Sequence, residues 1–131
     1  MQEKISELET KLRKCYSKET AFYKNKEAWN NHNPTCGQCA ITALIVQEYF
    51  GGTIHRIRVN ENETHYFNII DKKIIDLTKE QFNVRNIKII YDENELTSRE
   101  EILKSVDTVK RYNILKERIK NVDLFMTKRY Y

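Results

Sequence analysis

The sequence predicts an α+β domain in which one buried helix leads into an antiparallel meander, with further helices at both ends of the chain. Three features carry that prediction. The stretch Asn33-Pro34-Thr35-Cys36-Gly37-Gln38-Cys39 holds the only proline and breaks regular structure, and apolar residues then recur at helical spacing until Gly51-Gly52. From Thr53 the period changes to two, in short runs separated by turn-forming residues. Helical periodicity returns near both termini.

Taken in order, residues 2 to about 16 form an amphipathic helix with Ile5, Leu8, Leu12 and Cys15 on its apolar face. Ser17 to Trp29 is polar and aromatic, with Phe22, Tyr23 and Trp29 as anchors, and Asn30 to Pro34 is a loop by composition. The central helix starts at Cys39 and carries Ile41, Leu44, Ile45 and Tyr49 at spacings of three and four. Thr53–Val59, His65–Ile70 and Lys73–Thr78 are strands, joined by turns at 60–64 and Asp71-Lys72. Thr78-Lys79-Glu80-Gln81 reads as a capping box that opens a short helix. Ile87, Ile89, Ile90 and Tyr91 suggest a fourth strand. Ser98-Arg99-Glu100-Glu101 is a second capping box, and Asp107 is expected to cap a long helix with Val109, Tyr112, Leu115, Ile119, Val122 and Met126 on one face. One domain spanning 1–131 is expected, with its core over about 16–92 and a C-terminal helical segment over about 98–126.

Composition narrows the function. The net charge of +4 comes from 23 basic and 19 acidic residues that are interleaved along the chain, so nothing marks a nucleic-acid-binding face. No segment is long and apolar enough to span a bilayer, and the polar start is not that of a secretory signal. Three cysteines, an odd number, argue against a disulfide framework and fit a reducing cytoplasm. Gly37 and Gly51-Gly52 make no phosphate-cradling loop, so no nucleotide cofactor is expected. Cys36 and Cys39 with His32 and His65 would offer zinc ligands, but a structural zinc site needs a second close ligand pair and none is present. A redox role for Cys36-Gly37-Gln38-Cys39 would want a preceding strand in a βαβ unit.

Cys39 stands at the helix start, where free backbone N–H groups and the helix dipole favour a thiolate. Gly37 lets the backbone come close to a substrate. His65 opens the second strand, and Asp76 is a lone carboxylate in the apolar run Ile74-Ile75-Asp76-Leu77. A two-residue turn at Asp71-Lys72 puts Asp76 on the same sheet face as His65, one diagonal step away and within side-chain reach; a turn at Ile70-Asp71 puts the two directly opposite, and a register shifted by one residue splits them across the sheet. Asp76 then orients His65, and His65 activates Cys39. Taken singly, each residue reads more simply as structural: a buried thiol, a cross-strand packing residue, a strand-end carboxylate. Their joint occurrence points to nucleophilic catalysis. His32 sits in a polar loop, His55 reads as structural or exposed, and Asn68 falls on the opposite strand face from His65.

The motifs Asn33-Pro34, Gly37-Gln38-Cys39-Ala40, Thr42-Ala43-Leu44, Gly51-Gly52, His65-Tyr66, Asn68, Ile75-Asp76-Leu77-Thr78 and Gln81-Phe82 resemble the bacterial YunG-like family. The likeness extends to Thr20, Trp29 and Arg111-Tyr112, covering the chain from about Tyr16 to Ile119. More loosely, Cys36-Gly37-Gln38-Cys39 is similar to the run around the nucleophile of papain-like enzymes. The early His65 and the order Cys, His, Asp are closer to compact NlpC/P60 and transglutaminase-like domains. That resemblance implies a papain-like core, Cys39 rather than Cys36 as the functional thiol, and an oxyanion site built from the Cys39 N–H with Gln38 or Asn33.

The expected activity is thiol hydrolysis or acyl transfer on an amide or ester of a peptide, protein or small molecule, of the peptidase, deamidase or transglutaminase-like kind. The alternative is a non-catalytic protein that keeps the fold and binds a partner in the groove near Cys39. No cofactor, metal, nucleic acid or membrane partner is implied. The long C-terminal helix is expected to pack on its own core or on a second copy.

Overall fold

The computed structural model describes residues 1–129, with side chains through Asp123, so the expected place of Met126 lies outside the described side chains. The helices are α1 (Gln2–Cys15), α2 (Cys39–Phe50), α3 (Glu80–Asn83), α4 (Arg99–Ile102) and α5 (Val106–Arg129). The strands are β1 (Thr53–Asn60), β2 (Glu63–Ile70), β3 (Lys73–Ile75) and β4 (Glu95–Thr97). They form one antiparallel sheet in the order β3-β2-β1-β4. An α+β architecture with a four-stranded antiparallel sheet and helices at both ends of the chain is therefore correct.

Every residue from Ile41 to Val46 is buried, so the middle of α2 is enclosed all round, while Glu48 and Tyr49 in its last turn are exposed. On one side it meets the sheet through Ile54 and Ile70, and on the other it meets Leu8 and Leu12 of α1 and Leu115 and Ile119 of α5 in one apolar cluster. The Asn68 amide donates to the Ala43 carbonyl at 2.9 Å and ties the sheet to the helix. By strand alternation His65 and Phe67 point to the other face. There they meet residues 80–94: the His65 ring lies 4.6 Å from Phe82, and Phe67 5.1 Å from Tyr91.

The β2–β3 hairpin turns at Asp71-Lys72, both at positive φ, and pairs Ile70 with Lys73. That is the register that brings Asp76 towards His65. β3 ends at Ile75 rather than Thr78, because the next residues leave the ladder to serve the Asp76 carboxylate. Three further expectations need correction. Residues 87–90 form no strand. The outer edge of β1 is taken by β4, with Arg56 facing and ion-pairing Glu95 at 2.7 Å. The half-buried alternation at 87–90 belongs to an irregular segment that leads to Tyr91, which periodicity alone does not separate from a strand. Long helix α5 is capped by Ser105, whose Oγ accepts from the Thr108 N–H at 3.2 Å, while Asp107 pairs instead with Arg111 one turn on. Thr78 does not cap α3: its hydroxyl donates to Asp76, and Gln81 binds the Thr78 carbonyl. The Ser98 cap is as expected, its hydroxyl accepting from the Glu101 N–H. Of the aromatic anchors, Trp29 donates to the Pro34 carbonyl at 2.8 Å, whereas Tyr23 is 59% exposed.

Gly51 and Gly52 connect α2 to β1 at φ of +74° and +76°. A Cβ at Gly51 would meet open space, but one at Gly52 would lie 2.4 Å from the Ile69 carbonyl oxygen. Gly51→Ala should therefore lose about 1–3 kcal/mol from backbone strain. Gly52→Ala should lose a further 1–3 kcal/mol or so from overpacking. Urea unfolding of the two variants checks the ranking, and equal losses would show that the Gly52 contact relaxes.

Candidate active site

Cys39, His65 and Asp76 are brought together by three elements: the first turn of α2, the start of β2 and the end of the β2–β3 hairpin. The His65 side chain is fully buried, and its Nε2 lies 2.7 Å from Asp76 Oδ2. Asp76 is itself 4% exposed. Such a carboxylate needs several donors. It also receives the Tyr91 hydroxyl on Oδ2 at 2.7 Å and the Thr78 N–H on Oδ1 at 3.3 Å. Cys39 Sγ sits 3.9 Å from the carbonyl of Thr64, the residue before His65. His65 Nδ1 is buried without a hydrogen-bond partner of ordinary geometry. The contact with the Cys39 thiol is therefore looser than a hydrogen bond, yet close enough to act on the ring's protonation.

Burial by itself lowers the His65 pKa. The hydrogen bond to Asp76 and the nearby Cys39 sulfur outweigh it and push the value up to about 9. The ring is thus an imidazolium at neutral pH. Burial raises the Cys15 and Cys36 thiols, which keeps both in the protonated, unreactive form. The Tyr91 hydroxyl is raised by burial and by the Asp76 charge, so it stays a donor.

The other sequence-predicted residues occupy different positions. Gly37 lines a cleft of about 520 Å³ together with Cys39. Its φ is +73°, and a Cβ there would come within 2.9 Å of Asn25 Cβ and the Phe22 nitrogen, so glycine is required by the loop's own packing. Gln38 is fully buried, and its Nε2 donates to the Ser17 carbonyl at 3.1 Å. Asn33 is also buried, and neither it nor Gln38 lines the cleft. His32 is exposed, and His55 bonds Thr53 and Asn94. Among the described residues no group of three or more His, Cys, Asp or Glu is placed to hold a metal, and no helix is long and apolar enough to cross a membrane.

The sequence model described as YunG protein matches residues 4–123. The chain belongs to the YunG family. A Bacillus subtilis (strain 168) relative, "Uncharacterized protein YunG", is 43% identical over 65 residues, which cover 44% of this chain and 56% of that protein. The matched stretch is thus little more than half of the relative's length. No solved structure matches significantly.

Within this YunG domain, Tyr91 and Gln81 are site neighbours that the residue pattern did not single out. Gln81 is 4% exposed; its Nε2 donates to the Thr78 carbonyl, and its Oε1 accepts from the Gly37 N–H. It therefore joins the turn that holds Asp76 to the loop that precedes Cys39. The apolar spacing of 87–91 concealed Tyr91. The Gln81-Phe82 pair had only the family resemblance to mark it.

The pH dependence of stability follows from the raised His65 value. Protonation of His65 favours the folded state in full below about pH 6.5, where the unfolded ring is also protonated, and this contribution is lost as pH rises through about 9. Wild type should lose at most about 3 kcal/mol between those limits, and His65→Gln should lack that slope. Tyr91→Phe should cost about 1–2 kcal/mol through the lost charge-assisted bond. Urea midpoints across the pH range test both, and a wild-type slope matching that of His65→Gln would refute the assignment.

Proposed function

We propose that this YunG domain is a thiol hydrolase or acyltransferase acting on an amide or ester, with Cys39 as nucleophile, His65 as acid and base, and Asp76 as the group that orients His65. The observation that carries this reading is the burial of an imidazole whose Nε2 is fixed by a carboxylate while its Nδ1 has no partner, with a thiol at a helix start near enough to act on the ring. A helix-borne Cys followed by a strand-borne His and an Asp just past the next strand resembles a papain-like arrangement. A reducing cytoplasmic setting suits three free thiols.

The Cys39 sulfur, its proton held by His65, attacks the carbonyl carbon, so that a C–S bond forms while the C=O π pair moves onto oxygen. The developing oxyanion is met by the Cys39 N–H, one of the helix donors that lack an intrahelical acceptor. One Gln38 N–H is already committed to Ser17, which favours the backbone donor over that side chain. The leaving amine or alcohol departs with its electron pair and takes the His65 proton, so a thioester remains. Water or an acceptor amine then attacks the thioester, giving its proton to His65, and sulfur leaves.

The rival reading, a partner-binding domain without catalysis, draws on the loose contact between His65 Nδ1 and Cys39. Alkylation by iodoacetamide separates the two. With Cys15 and Cys36 changed to Ser, Cys39 should react at pH 6.5 about tenfold or more faster than an unperturbed thiol, because only the thiolate reacts. His65→Ala should remove that advantage, and p-nitrophenyl acetate should release a burst of nitrophenolate equal to the protein present. An unperturbed Cys39 rate in both proteins, with no burst, leaves the binding reading.

A further inference from the structure

Arg111 lies on α5, far from Cys39 in sequence, yet it lines the same cleft. The two are joined through short contacts. The Phe22 N–H donates to the Gly37 carbonyl at 2.9 Å, and the Arg111 guanidinium stacks on the Phe22 ring at 5.7 Å. The Arg111 side chain is only 4% exposed. A guanidinium has five N–H donors. Here Nε donates to Asp107, one Nη1 hydrogen to the Thr20 carbonyl and one Nη2 hydrogen to the Thr108 hydroxyl. One N–H on each terminal nitrogen therefore has no acceptor among the described residues, and a buried donor left unpaired is costly.

The charges around the cleft have the same gap. Glu63 is held by Arg85, Glu101 by Lys104 and Arg56 by Glu95. Arg111 is offset by Asp107. Lys24 also lines the cleft and has no carboxylate partner among the described residues. One added carboxylate would bring the lining to neutrality. It would also give the spare Arg111 donors a charged acceptor.

We propose that the cleft binds a carboxylate at Arg111 and Lys24, so that the substrate is an acyl compound carrying a carboxylate away from the scissile bond. This substrate class rests on the acyl-transfer reading of Cys39, but the anion site can be tested without turnover. Glutaramate and neutral glutaramide differ only by that charge. In Cys39→Ser protein, NMR titration should show glutaramate binding about tenfold or more tighter than glutaramide, as expected for a charge-assisted contact. Arg111→Gln and Lys24→Gln should each erase most of the preference, and Arg111→Lys should keep part of it. Lys24→Gln carries the test if Arg111→Gln does not fold. Repeating the titration with acetyl-Gly-Gln and its C-terminal amide separates a peptide end from a free small acid as the source of the carboxylate. Equal binding of glutaramate and glutaramide, no saturable binding of glutaramate, or a preference that survives both Gln variants would overturn the proposal. A preference as expected beside an ordinary Cys39 alkylation rate would leave the anion site standing and remove the catalytic reading instead.

Discussion

The burial of His65 against Asp76 is the constraint on which the rest of this domain turns. Removing an ion from water costs several kcal/mol, and the mutual attraction of the pair offsets this only when the remaining lone pairs are also satisfied. Asp76 meets that condition with three kinds of donor: the His65 ring, the Tyr91 hydroxyl and the Thr78 N–H. Each comes from a different part of the chain. The hairpin must hold its register, β3 must end early, and residues 87–90 must bring Tyr91 to the carboxylate. A one-residue slip of β3 would turn Asp76 to the wrong face and leave a buried imidazole without its partner.

The same constraint couples the His65–Asp76 pair to the Cys39 loop. Gln81 binds the Thr78 carbonyl beside Asp76 and receives the Gly37 N–H from the loop that delivers Cys39. Phe82, the next residue, places its ring against His65. A four-residue helix is too short to be stable alone. Its purpose in the fold is to carry these two side chains, one polar and one apolar, to the two halves of the site.

Much of this was legible in the sequence. The Gly51-Gly52 stop, the switch of period at Thr53 and the two-residue turn at Asp71-Lys72 are local signals, and local chemistry decided them. They were enough to place Cys39, His65 and Asp76. What stayed hidden depends on pairing between distant segments. The spacing of Ile87 to Tyr91 is that of a strand, but whether a strand forms depends on pairing at a sheet edge, and on β1 that edge is taken by β4. Asp107 has the chemistry of a cap, but Ser105 stands nearer the first turn, and Arg111 offers Asp107 a stronger partner. Thr78 followed by Gln81 matches a capping box. The buried Asp76 carboxylate claims the Thr78 hydroxyl first, since a charged acceptor outcompetes a neutral one.

The C-terminal helix illustrates how far such pairing reaches. Periodicity alone makes α5 an appendage that covers the core. Its polar side chains give it a larger part. Arg111 donates to the Thr20 carbonyl, and Arg118 to the Cys15 carbonyl and the Ser17 hydroxyl, while Tyr112 bonds Glu48 of α2. The segment 15–20 held in this way includes Ser17, whose carbonyl in turn fixes Gln38 immediately before Cys39. A hydrogen-bonded path therefore runs from α5 through the N-terminal segment to the residue before Cys39, and Ser105, Thr108 and Arg111 line the cleft that Cys39 also lines. The helix is part of the site, and the position of Cys39 depends on residues about 80 positions further along the chain.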